Sequence, residues 1–225
     1  MQTNVQYTLV QGFSFDLPVL SGVLTGNAPP DGEGAVITVT GTNFGGYSFS
    51  EAQSVRVGLS TCASTTWTSD SALACGLATG VSAFLPVQVT AGIDFNNTVF
   101  LRPRRSSLGS PFSYDVAKVS LLATSNGPPA AQPLMISAYG RNFGCNDYSI
   151  LTRLGQTATE STLWSSDSAL VLKAAAASQN GLALFATIGG LNLTLGAEGL
   201  VGTSLSIFSY DVPAATAASK GNIGG

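Results

Sequence analysis

Histidine is absent from this 225-residue chain. Its absence excludes a Ser-His-Asp or Cys-His triad, a His-ligated zinc site and a histidine pH switch. Charge is scarce too: Asp, Glu, Lys and Arg make up 9% of residues, against roughly 25% in an average soluble domain. The surface must be built from Ser, Thr, Asn, Gly and Ala. Such a surface is expected to be covered by glycan or buried against neighbouring subunits, because a dispersed monomer ordinarily carries more charge.

Other shortages narrow the field further. The net charge is −3 and the nine basic residues are scattered, so there is no electrostatic footprint for nucleic acid. The one local cluster is Arg102, Arg104 and Arg105. No run of eighteen or more apolar residues occurs, so no membrane insertion is expected in this segment. The first residues, MQTNVQYTLVQG, lack the charged start and apolar stretch of a signal peptide.

What is present is a repeat. FSFD at 13–16 recurs as FSYD at 112–115 and at 208–211, spacings of 99 and 96 residues. GTNFG at 41–45 recurs as GRNFG at 140–144, WTSDSALA at 67–74 as WSSDSALV at 164–171, and NAPP at 27–30 as NGPP at 126–129. A period near 97 is too long for a solenoid and suits a sandwich domain.

Between the markers lie short apolar segments bounded by Gly, Pro, Asn and Ser, several with period-2 alternation as in Val55-Arg56-Val57 and Val87-Gln88-Val89. Expected strands in the first copy are Val19–Leu24, Val36–Thr40, Ser54–Val57, Ala72–Cys75, Phe84–Thr90 and Phe112–Tyr114. In the second they are Val116–Leu122, Leu134–Tyr139, Leu151–Leu154, Ala169–Leu172, Leu182–Ile188 and Ile207–Tyr210. The alanine run 174–177 is too short to nucleate a helix and reads as loop. The expected organisation is the closing strand of a preceding repeat (1–16), two domains (17–115 and 116–211), and a linker or the start of a following repeat (212–225). The chain reads as an excerpt from a longer array.

In order, Ile37–Gly45, Val55–Gly58, Cys62, Ser69–Cys75 and Phe208–Pro213 follow the pattern V-x-V-x-G-x-N-F-G (with Ile37 at the first Val), V-x-V-G, Cys, S-D-S-x-L-x-C and F-S-Y-D-x-P. This pattern resembles the IPT/TIG domain over both repeats, residues 17–211. The resemblance implies an all-β fold of two tandem immunoglobulin-like β-sandwich domains. Similar domains occur in plexin-like receptors, in fibrocystin-like ciliary proteins, as spacers in polysaccharide-degrading enzymes and in some transcription factors. The Gly- and Ser-rich, charge-poor style resembles large cell-surface proteins of microbial eukaryotes, some of them parts of extracellular fibres.

In that family the positions of Cys62 and Cys75 commonly pair. The second copy has Thr159 and Leu172 there, both cysteines lost together, as a disulfide would require; the alternative is two separate buried thiols. A bond implies an oxidising compartment. Cys145 has no evident partner and is a candidate intermolecular thiol, with a partly buried free thiol as the alternative.

Asn96-Asn97-Thr98 and Asn192-Leu193-Thr194 are N-glycosylation sequons at matching positions. The Pro-Pro pairs at 29–30 and 128–129 are candidate O-glycan carriers in a source that hydroxylates proline. Arg102, Arg104 and Arg105 fit a basic processing site, with a solvated loop as the other reading. Asp70 and Asp167 read as turn residues accepting backbone N–H groups. Trp67 and Trp164 read as core or sheet-edge anchors, and Phe44 and Phe143 as plugs of the sandwich end.

No catalytic set, metal cluster or cofactor is expected. The leading expectation is a structural, non-catalytic segment of a glycosylated extracellular or cell-surface protein, a subunit of a filament or fibre. Its partners would be copies of itself or neighbouring repeats. The alternatives are an adhesion module recognising a protein or glycan, and spacer domains attached to an enzyme elsewhere.

Overall fold

The computed structural model describes residues 16–32, 34–46, 53–91, 104–129, 134–189 and 200–212. Every regular element among them is a β-strand. In the first copy, β1 (Val19–Leu24), β3 (Val36–Thr42), β7 (Ala72–Gly76) and β6 (Ser64–Ser69) form a sheet in the order β1-β3-β7-β6. A second sheet runs β2-β9-β8-β4-β5, from β2 (Asn27–Ala28), β9 (Arg104–Tyr114), β8 (Leu85–Ala91), β4 (Ser54–Val57) and β5 (Ser60–Thr61).

The second copy repeats this plan strand for strand. One sheet is β10 (Lys118–Leu122), β12 (Leu134–Arg141), β16 (Ala169–Ala174) and β15 (Ser161–Ser166). The other is β11 (Asn126–Gly127), β18 (Leu200–Tyr210), β17 (Leu182–Ile188), β13 (Leu151–Leu154) and β14 (Thr157–Ala158). Pairing is antiparallel except for the short β2 on β9 and β11 on β18. Even the irregularities recur: β6 slips register between Trp67 and Ser69, and β15 between Trp164 and Ser166.

Alternation along each strand makes the core, because successive side chains face opposite sides of a sheet. Leu85, Val87, Val89 and Ala91 of β8 point inward, and Ile37, Val39, Leu73 and Cys75 are buried on the other sheet. In the second copy Leu182, Leu184, Ala186 and Ile188 are buried on one sheet, and Ile136, Ala138, Leu170 and Leu172 on the other. Arg56 is exposed between the buried Val55 and Val57.

The structure departs from the expected segments mainly in two places, besides adding the two-residue strands β2, β5, β11 and β14. Ser64–Ser69 and Ser161–Ser166, rich in Ser and Thr, are full edge strands. Strands β9 and β18 begin well before Phe112 and Ile207, at Arg104 and Leu200. Ala174 closes β16, and residues 175–177 are loop.

Candidate functional site

Each copy is closed at one end by the same polar clamp. The Asp70 carboxylate, at the tip of the β6–β7 hairpin, accepts the N–H of Gly45 at 2.9 Å and of Asn43 at 3.3 Å. The Asp70 carbonyl accepts Phe44 N–H at 2.9 Å, and the Ser71 carbonyl accepts Gly41 N–H at 3.0 Å. Trp67 donates its indole N–H to the Gly45 carbonyl at 2.8 Å. In the second copy Asp167 accepts Gly144 N–H at 2.8 Å and Asn142 N–H at 3.2 Å, and Trp164 donates to the Gly144 carbonyl at 3.1 Å.

Asp70 and Asp167 thus accept backbone N–H groups from a loop more than twenty residues away, besides marking a turn. The clamp seats Phe44 and Phe143 in the core, fully buried. Asn43 and Asn142 hold φ of 62° and 63°, a left-handed conformation that Asn tolerates better than most residues. Gly41 and Gly140 permit the closest approach: an added Cβ would lie 2.1 Å from the carbonyl oxygen of Val19 or Lys118.

The cross-brace differs between copies. Cys62 and Cys75 form a disulfide with Cα atoms 5.6 Å apart. Where the second copy has Thr159 and Leu172, a hydroxyl cluster stands instead. Thr152 Oγ1 lies 2.7 Å from both Thr159 Oγ1 and Thr162 Oγ1. Position 152 is Val55 in the first copy, so three substitutions exchange a covalent brace for a polar one.

The two copies meet around Val81. A Cβ at Gly144 would sit 3.1 Å from Val81 Cγ1, and one at Gly189 would sit 3.1 Å from the Val81 carbonyl oxygen. The link 115–117 is tied to both sides: Asp115 N–H donates to the Ala28 carbonyl at 2.8 Å, and Asn142 Nδ2 donates to the Val116 carbonyl at 3.1 Å. Beside it lies a cleft of about 440 Å³ whose lining includes Asn27, Tyr114, Asp115, Arg141 and Asn142.

Tyr114 is buried at this junction, donates its hydroxyl to the Ala78 carbonyl at 2.6 Å and meets Phe112 edge-on. Burial pushes its phenol up to about 12, with Tyr148 and Cys145 of the second copy adding to the effect. Tyr210 repeats the bond with the Ala175 carbonyl at 2.5 Å, and burial raises its phenol too.

Cys145 is a free, partly buried thiol 3.5 Å from the Tyr148 hydroxyl, and it accepts from Asn146 Nδ2 at 3.1 Å. Arg104 and Arg105 lie within β9, opposite Ala91 and Thr90, so cleavage there requires β9 to leave β8. Arg102, Asn96 and Asn192 lie outside the described residues, as do residues 1–15 and 213–225. Among the described residues no group of His, Cys, Asp and Glu could hold a metal ion.

Comparison with known proteins adds a family. Residues 18–101 match the model of the IPT/TIG domain. No curated protein matches the sequence. Among solved structures, the Plexin A4 full extracellular region is similar over 86% of this chain and 18% of its own, at 14% identity and a TM-score of 0.35. A tandem from titin aligns over 86% and 66%, at 8% identity and a TM-score of 0.33. An auxiliary nutrient binding protein from Bacteroides thetaiotaomicron aligns over 43% and 21%, at 20% identity and a TM-score of 0.34. This chain spans 18% and 17% of the two plexin chains it matches. The likeness to the IPT/TIG domain is thus shown for residues 18–101.

Proposed function

We propose that this chain is a structural, non-catalytic segment of a glycosylated extracellular protein, a subunit of a surface filament or fibre. The observation that carries the reading is the doubled architecture: two sandwiches closed by the same clamp, each cross-braced, and joined by a short link with Val81 of the first copy packed against Gly144 and Gly189 of the second. Such a link leaves little room for hinge motion, which suits a spacer or rod. The disulfide supports an oxidising compartment, and matched sequons support glycan cover. Immunogold electron microscopy of source material tests the proposal: label should recur at regular intervals along fibres. Dispersed, unglycosylated particles would overturn it.

One observation favours a second reading, recognition of a partner protein. The outer face of the sheet β10-β12-β16-β15 exposes Leu121, Met135, Tyr139 and Leu163, at 59%, 47%, 45% and 57%. At the equivalent of Leu121, Tyr139 and Leu163 the first copy has Gly22, Thr40 and Thr66. The first copy exposes Val19, Leu24 and Val36 on the equivalent sheet, so what sets the second copy apart is the larger side chains Leu121, Tyr139 and Leu163. Restoring the first copy's residues (Leu163→Thr with Tyr139→Thr) should abolish capture of such a partner while leaving thermal stability within about 0.5 kcal/mol.

A further inference from the structure

Two of the nine basic residues of this chain face each other across β10 and β12. Lys118 is the register partner of Arg141, and both are exposed. Like charges directly opposite one another destabilise a sheet. In the first copy the same two positions hold Val19 and Thr42, so the scaffold itself does not ask for the cations. Neither side chain has an ion-pair or hydrogen-bond partner among the described residues. In a chain so poor in charge, a facing pair of uncompensated cations calls for an anion from outside.

Arg141 also lines the junction cleft, whose volume of about 440 Å³ lies in the range of ligand pockets. The same cleft holds a carboxylate, Asp115, whose Oδ1 accepts the side-chain N–H of Asn27. Arg141 and Asp115 form no ion pair with each other, so each keeps capacity for a third group. The walls are held before anything binds: Asp115 N–H is bonded to the Ala28 carbonyl, Asn142 to the Val116 carbonyl, and Val81 packs against Gly144. A preorganised site loses less freedom on binding. The fixed carboxylate selects among anions. Inorganic sulfate or phosphate is charged on every side, and Asp115 repels it. An occupant with an acid group at one end and hydroxyls at the other satisfies both walls. The guanidinium fork takes acid oxygens in pairs, while Asp115 accepts O–H groups.

We infer that the cleft between the copies binds an acidic saccharide, a uronate or sulfated sugar residue, with its acid group on Arg141 and Lys118 and its hydroxyls on Asp115 and Asn27. Each copy supplies half of the site: the acceptors come from the first and the cations from the second. Asn126 and Asp211 repeat the acceptor half at the far end of the second copy. Val19 and Thr42 lack the cationic half at the near end of the first. Among the described residues the complete set therefore stands only at this junction. The site is independent of the fibre reading, and either can fail alone.

The test is an NMR chemical-shift titration of the isotope-labelled full chain, at low ionic strength because salt screens exposed charges. The probes are an oligogalacturonate, a sulfated galactose oligomer, the neutral galactose oligomer and inorganic sulfate. One or both acidic oligomers should shift the amides of Asp115, Val116 and Asn142 in the millimolar range, and the one that does so identifies the acid group. The neutral oligomer and inorganic sulfate should bind at least about tenfold more weakly. Arg141→Thr with Lys118→Val, the first copy's own residues, should lower affinity roughly tenfold or more, with thermal unfolding unchanged. Asp115→Asn should weaken the acidic sugar and strengthen inorganic sulfate, a reversal that a purely structural role would not produce. The inference is overturned if neither acidic oligomer shifts these amides, or if the double variant binds as well as the wild type. A neutral oligomer that binds equally, or inorganic sulfate that binds as tightly as the sugars, would overturn it too.

Discussion

The disulfide gives the sharpest test of how the two copies are held. Cys62 and Cys75 close a loop with a sequence separation of 13. On the chain-entropy model such a loop contributes about 3 kcal/mol, by restricting the unfolded chain. Both sulfurs are buried, Cys75 completely, and a reduced thiol packs there as a small hydrophobe. Reduction should therefore remove that entropic term and little else. At about 4–8 °C per kcal/mol for a unit of 60–100 residues, the first copy's midpoint should fall by roughly 12–24 °C.

The second copy, braced by Thr152, Thr159 and Thr162, should not respond to reductant. Differential scanning calorimetry with and without a phosphine reductant reads both at once: one component moves and one stays. Transplanting the second copy's solution (Val55→Thr, Cys62→Thr, Cys75→Leu) should make the first component indifferent to reductant as well. If reductant moves neither component, or both equally, the brace does not carry the stability assigned to it.

Further expectations follow from the clamp and the junction. Gly41→Ala or Gly140→Ala drives a methyl to 2.1 Å from a carbonyl oxygen and 2.6 Å from a buried phenylalanine ring. Each should cost more than about 3 kcal/mol in denaturant unfolding. Asp167→Ala strands two loop N–H groups and should cost about 1.5–3 kcal/mol, with the more exposed Asp70→Ala below it. Tyr114 has a folded pKa of about 12 against 10.0 for the free phenol. The unfolded chain loses this proton first, so its contribution is complete below pH 10 and declines between pH 10 and 12. The loss should reach at most about 2–3 kcal/mol. Alkaline unfolding of Tyr114→Phe should lack this step, and an unchanged profile would refute the assignment.

The legible part of the fold was the part written in period two. Val55-Arg56-Val57 and Val87-Gln88-Val89 announce one buried face, and the strands appear there. Edge strands escaped because their composition answers to solvent on most of their surface: Ser64–Ser69 alternates exposed and half-buried residues without an apolar run. What fixes it as a strand is pairing with β7 and the reach of Trp67 to Gly45, neither of which leaves a local trace. The clamp was half visible. The motifs N-F-G and S-D-S could be seen to repeat, and Asp could be assigned to accepting N–H groups. That one motif supplies the acceptors for the other follows only from the approach of two segments about twenty-five residues apart.

The second copy serves as an internal control for which of these features the fold demands. The residues that satisfy backbone groups of the closing loop are the same in both: Asp70 and Asp167, Asn43 and Asn142, Trp67 and Trp164. Losing any of them leaves donors or acceptors stranded at a partly buried site, and no single replacement restores the set. The cross-brace has changed, from Val55, Cys62 and Cys75 to Thr152, Thr159 and Leu172, because a core accepts exchanges that preserve volume and pair every polar group. The outer sheet face has changed most freely, from Thr40 and Thr66 to Tyr139 and Leu163, since folding asks nothing of it beyond solubility. Divergence is thus greatest where the scaffold is indifferent, and those faces, with the junction cleft, are where this chain's partners should be sought.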